Sequence, residues 1–205
     1  MTIRAVLFDF AGVLTSSPWA ALAEAGGGDL ELIIGSYEQD TDHPWHQVER
    51  GEMTIVDWMG AVRELGEAKG VEVDFSPLGA LLGEMTVHDP IVDHVRALRD
   101  QGYKLALVTN NVREGSAAWR SLVPVDELFD VVVDSSEVGM RKPNPAIYHH
   151  ALDALGGIPP EEAVFLDDSP GNVEGARRAR LHAILVETPE QAIEDLGALL
   201  TALRL

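Results

Sequence analysis

The chain contains no cysteine, so disulfides, thiolate zinc sites and cysteine nucleophiles are excluded, and any metal is expected to sit on oxygen ligands. Positive charge is also scarce. Fifteen Lys and Arg stand against 34 Asp and Glu, and the resulting net charge of −19 repels nucleic acid and anionic lipid, so neither is expected as a partner. Only three lysines occur, Lys69, Lys104 and Lys142, and an anionic substrate must therefore find a local positive patch. No apolar run approaches the ~20 residues of a bilayer span. The stretch before Asp9 is too short for a signal peptide, and a cytoplasmic location is the expectation.

What is present is enough apolar material, 46% of 205 residues, to bury a core of one domain plus an insertion. Five short apolar, β-branched segments read as buried parallel strands: residues 3–8, 103–108, 129–133, 163–166 and 183–186. Helical patterns separate the last four. Asp89-Pro90 reads as an N-cap and first-turn proline, followed by Ile91, Val92, Val95 and Leu98 at helical spacing and closed by Gly102. Asn144-Pro145 and Ser169-Pro170 open two more helices. This alternation predicts an α/β, doubly wound, Rossmann-like parallel sheet.

Residues 15–88 do not follow that alternation. They contain no convincing strand, are broken at Gly26-Gly27-Gly28 and His43-Pro44, and are far too long for a βα loop. Thr54 with Asp57 resembles a capping box, and Ile55, Trp58, Met59, Val62 and Leu65 form one apolar stripe. The expected organisation is a core of residues 1–14 and 89–205 with a helical cap, residues 15–88, inserted after the first strand. The stripe is read as cap core.

Four segments then fall in order at expected strand ends. They are Asp9 with the turn Phe10-Ala11-Gly12, KLALVTN ending at Thr109 and Asn110, VVVDSSEVGMRKP ending at Lys142, and AVFLDDSPGN carrying Asp167, Asp168 and Asn172. A parallel sheet puts all strand C-termini on one edge, so these residues are expected to converge. An Asp after a strand is by itself more often a turn former or a helix cap, and only the ordered set gives it weight.

Together the four segments resemble the motifs of the haloacid dehalogenase-like (HAD) hydrolase superfamily over essentially the whole chain. Asp9 to Pro18, Trp45 through Glu49-Arg50-Gly51-Glu52, and Arg141 to Tyr148 with Phe165 to Asn172 resemble the branch that includes the N-terminal phosphatase-like domain of soluble epoxide hydrolases. The resemblance implies that Asp9 is a nucleophile forming an aspartyl-phosphate, and that Mg²⁺ sits on Asp9, Asp168 and the backbone carbonyl of Ala11. It implies that Thr109, Asn110 and Lys142 bind the phosphoryl group, that Lys142 also serves catalysis, and that Asp167 and Asn172 act from behind them. The implied partner is a small phosphorylated or anionic metabolite. Arg113 is read as a surface residue, and oligomeric state is left open.

One position departs from the pattern. Phosphatases of the superfamily carry a second Asp two residues after the nucleophile, and here Ala11 stands there. A positioned general acid or base contributes ~10²- to 10⁴-fold. Its loss leaves three readings: an atypical or weak phosphohydrolase, with His43, His46 and Glu49 of the cap available for proton transfer; a carbon–phosphorus hydrolase needing a cap lysine, for which only Lys69 is present; or a non-catalytic Mg²⁺ and anion binder. Carbon–halogen hydrolysis fits less well, because the Asp167-Asp168 pair belongs to metal-dependent members.

Overall fold

The computed structural model describes residues 2–18, 30–36, 39–75 and 85–203. Five strands form one sheet: β1 (Ala5–Phe8), β2 (Lys104–Thr109), β3 (Val131–Asp134), β4 (Ala163–Asp167) and β5 (His182–Leu185). All neighbours pair in parallel in the order β3-β2-β1-β4-β5, so the chain reverses its direction of travel across the sheet beside β1. The crevice beyond β1 and β4 is therefore the topological switch point, where sheets of this kind bind ligands.

The strands lack alternation in sequence because both faces are covered. Val6, Phe8, Leu105, Leu107, Val164 and Leu166 join one apolar cluster, while Ala5, Leu7, Ala106, Val108 and Phe165 join another on the opposite face. Outside the first cluster lie helices including α4 (Asp89–Asp100) and α10 (Pro189–Ala202). Against the second lie α8 (Pro145–Ala154) and α9 (Pro170–Arg178). Shorter helices α5 (Ser116–Arg120), α6 (Val125–Leu128) and α7 (Ser135–Val138) fill the intervening connections.

The helix starts agree with the sequence reading apart from small shifts. Asn144 caps α8 by accepting from the amide of Ala146 at 3.1 Å. Helix α4 begins at Asp89, so its cap position is His88, one residue earlier than expected. The His88 ring instead bonds the carbonyl of Val13 at 2.9 Å, tying the helix entry to the segment after β1.

A third apolar cluster, Ile33, Ile34, Trp45, Val48, Trp58 and Val62, belongs to α1 (Leu30–Ile34), α2 (Pro44–Glu49) and α3 (Ile55–Lys69). His43-Pro44 opens α2: the His43 ring accepts from the amide of Trp45. Thr54 accepts from the amide of Asp57 at 3.1 Å, and its hydroxyl donates to the Asp57 carboxylate. The α3 stripe is narrower than expected. Its buried line runs Trp58–Val62–Gly66, and Leu65 is exposed, because the chain folds back with Val71 and Val73 directly over Gly66 and leaves the flank bare. The expected break at Gly26-Gly27-Gly28 lies outside the described residues.

Two chain crossings join this cluster to the sheet. Residues 14–16 and 86–88 run antiparallel there, with Ser16 N to Thr86 O and His88 N to Leu14 O both 2.8 Å. No helix among the described residues is long and apolar enough to cross a membrane.

Candidate active site

Asp9 directly follows β1, and its amide extends the ladder by donating to the Leu166 carbonyl at 2.9 Å. Because Phe8 is level with Leu166 in the register, Asp9 comes beside Asp167 at the end of β4. Thr109 ends β2 on the other side and is buried. The four segments thus meet at the switch point. Asp9, Ala11, Thr109, Asn110, Lys142, Asp168 and Asn172 line a single cavity of about 350 Å³, and Asp167 lies immediately behind it.

Lys142 is the centre of the arrangement. Its ammonium is only 1% exposed and stands 2.7 Å from Asp9 Oδ1 and 2.7 Å from Asp167 Oδ2. Burial alone would lower its pKa, but the two carboxylates hold it raised. Asp167 is fully engaged: Oδ2 accepts from Lys142, Oδ1 accepts from the Ser169 amide at 2.8 Å, and both oxygens lie 3.1 Å from Asn172 Nδ2. Asp9 is half engaged. Its Oδ1 takes Lys142 and the Phe10 amide, while Oδ2 receives no hydrogen bond among the described residues. Asn110 faces the backbone of Lys142, accepting from its amide at 2.8 Å and donating to its carbonyl at 3.0 Å.

Asp168 completes an acidic group. Ligand oxygens of Asp9, Asp167 and Asp168 lie within 4.8 Å of one another, and Lys142 leaves two of their negative charges uncompensated. Burial, then the charge of Asp167, pushes Asp168 up to about 7; burial likewise raises Asp9 well above its ordinary range, against the pull of Lys142. Since Asp167 is occupied, Asp9 and Asp168 are the carboxylates left for a cation. Gly12, at φ +90°, lies against Asp168 so closely that a Cβ there would overlap the carboxylate. Asn172 Oδ1 and Ser169 Oγ are buried beside them without partners among the described residues. A hard divalent cation with its waters fits this donor set: carboxylate oxygens, a close backbone and polar atoms needing partners.

The chain matches the family model of the haloacid dehalogenase-like hydrolases over residues 3–180. It belongs to that family. It is 33% identical over 209 residues to acyl-CoA dehydrogenase family member 10 from Mus musculus, which aligns with 96% of this chain and 19% of its own length. It is 28% identical over 214 residues to bifunctional epoxide hydrolase 2 from Mus musculus, covering 96% of this chain and 38% of that one. The chain thus spans well under half the length of these two relatives. Phosphatase MT3486 from Mycobacterium tuberculosis is 32% identical over 216 residues and is matched nearly end to end, 97% of this chain and 96% of that one. Among solved structures, a HAD family enzyme from Bacteroides thetaiotaomicron in complex with magnesium and inorganic phosphate superposes with a TM-score of 0.63 at 23% identity, over 89% of this chain and 93% of that one.

In this HAD-like hydrolase the cavity is also walled by Ser17, Leu30, Glu49 and Arg141. Arg141 is buried, its Nε 2.7 Å from Glu49 Oε2 and its Nη1 2.8 Å from the Gln39 carbonyl. Burial raises the Glu49 pKa and Arg141 opposes it. Sequence reasoning passed over Arg141. The available signal was a pair of opposite charges in two motif segments, Glu49 beside Arg50-Gly51-Glu52 and Arg141 beside Lys142.

Of His43, His46 and Glu49, only Glu49 reaches this cavity. His43 bonds the Trp45 amide and the Leu32 carbonyl. His46 is buried against Thr41, and desolvation followed by Arg141 lowers its pKa to about 4. Lys69 is exposed in the last turn of α3 and does not line the cavity. Arg113 donates to the Ser136 carbonyl at 2.9 Å.

Proposed function

We propose that this HAD-like hydrolase is a Mg²⁺-dependent phosphohydrolase acting on a small phosphorylated metabolite through an aspartyl-phosphate on Asp9. The observation that carries the reading is the asymmetry of Asp9: one oxygen is fixed by Lys142 and the Phe10 amide, and the other is unbonded in a residue that lines the cavity. Oδ2 attacks phosphorus, the bond from phosphorus to the leaving oxygen breaks, and water then attacks phosphorus to release phosphate and restore the carboxylate. Lys142 neutralises Asp9 and the incoming phosphoryl group, and Thr109 offers a hydroxyl to its oxygens. Asp9, Asp168 and the Ala11 carbonyl would hold Mg²⁺, which when bound supplies charge neutralisation at the phosphoryl oxygens. Asp167 and Asn172 serve by holding Lys142.

Ala11 provides no proton for the leaving oxygen, so turnover is slow or restricted to good leaving groups. The core of residues 1–14 and 89–205 supplies the chemistry, and the helical segment within 15–88 acts as a cap; the paired crossings at 14–16 and 86–88 support that division. A cytoplasmic location accords with this reading. The same Ala11 favours a second reading, in which the site binds Mg²⁺ and phosphate without turnover.

The test is Mg²⁺-dependent phosphate release from an activated aryl phosphate by the native chain, Asp9→Asn and Ala11→Asp. Native turnover that disappears in Asp9→Asn is expected, with a gain of ~10²- to 10⁴-fold in Ala11→Asp. Turnover by Ala11→Asp alone would favour the binder.

A further inference from the structure

Both cations that line the cavity, Lys142 and Arg141, are already paired with carboxylates, and that bears on what the phosphoryl group is attached to. At the Asp9 end the ammonium of Lys142 is committed to Asp9 and Asp167. The guanidinium of Arg141, on the same cavity, is committed to Glu49 at 2.7 Å and to the Gln39 carbonyl at 2.8 Å, while Asp40, 3.8 Å away, is held by Arg50 at 2.6 Å. The cationic charge of Arg141 is therefore already compensated by Glu49. A second anion on the substrate would meet Glu49 without a free cation among the described lining residues, at a depth where water screens little.

The same wall has hydrogen-bonding capacity. Arg141 is 2% exposed, and its second terminal nitrogen makes no hydrogen bond among the described residues. Glu49 presents a carboxylate and Ser17 a hydroxyl. A hydroxyl group both donates and accepts, so it matches a wall that mixes guanidinium and carboxylate, whereas a carboxylate on the ligand matches only half of it. Resting on the reading that the Asp9 end takes the phosphoryl group, we infer that Glu49 and Arg141 are specificity-determining residues that select phosphate monoesters of uncharged, hydroxylated compounds and reject those carrying a second anion. The cavity, about 350 Å³, suits a ligand of a few carbons.

A matched pair of ligands tests this: glycerol 3-phosphate and 3-phosphoglycerate, which differ only in CH₂OH against COO⁻. Binding to Asp9→Asn is measured calorimetrically with Mg²⁺ present, so that no ligand is consumed. Glycerol 3-phosphate is expected to bind at least about tenfold more tightly, a modest share of the like-charge repulsion at such range. Adding Glu49→Gln removes the charge at nearly constant size and is expected to shrink the ratio severalfold. Equal affinities, tighter binding of 3-phosphoglycerate, no measurable binding of either, or an unchanged ratio in a folded Glu49→Gln protein would overturn the inference. Should Glu49→Gln not fold, the native-Glu49 ratio decides alone. The aryl phosphate assay on the native chain reads the phosphohydrolase function separately, since it responds to turnover and these affinities do not.

Discussion

Asn110 and Lys142 are joined by two reciprocal hydrogen bonds: the Asn110 carbonyl oxygen accepts from the Lys142 amide at 2.8 Å, and the Asn110 amide donates to the Lys142 carbonyl at 3.0 Å. The end of β2 thereby sets the backbone from which the Lys142 ammonium reaches Asp9 and Asp167. Asn110→Ala is expected to cost about 2 kcal/mol, near 1 kcal/mol for each bond. Under the proposed function it lowers kcat more than it raises KM, because Lys142 is displaced rather than removed. Urea unfolding alongside steady-state kinetics checks both parts.

Lys142 is the only cation within hydrogen-bonding distance of Asp9 and Asp167 among the described residues. Lys142→Met leaves buried carboxylates without their partner, and a loss of about 3–5 kcal/mol is expected. Lys142 opposes the rise that burial imposes on Asp9, so without the ammonium Asp9 holds its proton to higher pH in the folded protein than in the unfolded one. The deficit relative to the native chain is therefore small near pH 5 and grows as pH rises. A deficit that does not change with pH in denaturant titrations would contradict this.

Under the proposed function, Asp168 sets the pH response to metal. Its folded-state pKa, about 7, exceeds its ordinary 3.8, so the folded protein binds more protons than the unfolded chain across that interval. In the absence of metal, this group makes stability fall as pH rises from about 4 to about 7. Under the proposed function, Mg²⁺ competes with the proton for the same oxygen. The rise in melting temperature caused by Mg²⁺ should be slight at about pH 5.5 and large at about pH 8, as read by differential scanning fluorimetry.

Gly12 separates the fold from the proposed metal site. At φ +90° an alanine is strained by roughly 1–2 kcal/mol, and its Cβ would overlap the Asp168 carboxylate. Gly12→Ala is expected to remain folded yet lose most of the Mg²⁺-induced shift in melting temperature. Retention of the full shift would show that Asp168 does not need its observed position.

The strands, the helix starts at Pro145 and Pro170, and the ordered motif residues were all legible in the sequence, because each rests on local chemistry. A buried parallel strand needs an apolar run, a helix entrance needs a cap and a first-turn proline, and a strand end exposes its next side chain at the sheet edge. Parallel pairing then made the convergence of Asp9, Thr109, Lys142 and Asp167 predictable. The absence of an acid at Ala11 was equally plain. The sequence left open which hydrogen-bonding partner each polar side chain would take. Only the packed chain directs Asn110 to the Lys142 backbone and places Arg141 against Glu49, 92 positions apart in sequence. It also turns Leu65 outward while Trp58 and Val62 go in. These outcomes depend on the approach of elements whose separation along the chain carries no local signal. A buried charge finds its partner through the geometry of closure between elements, which residue type and spacing alone do not encode.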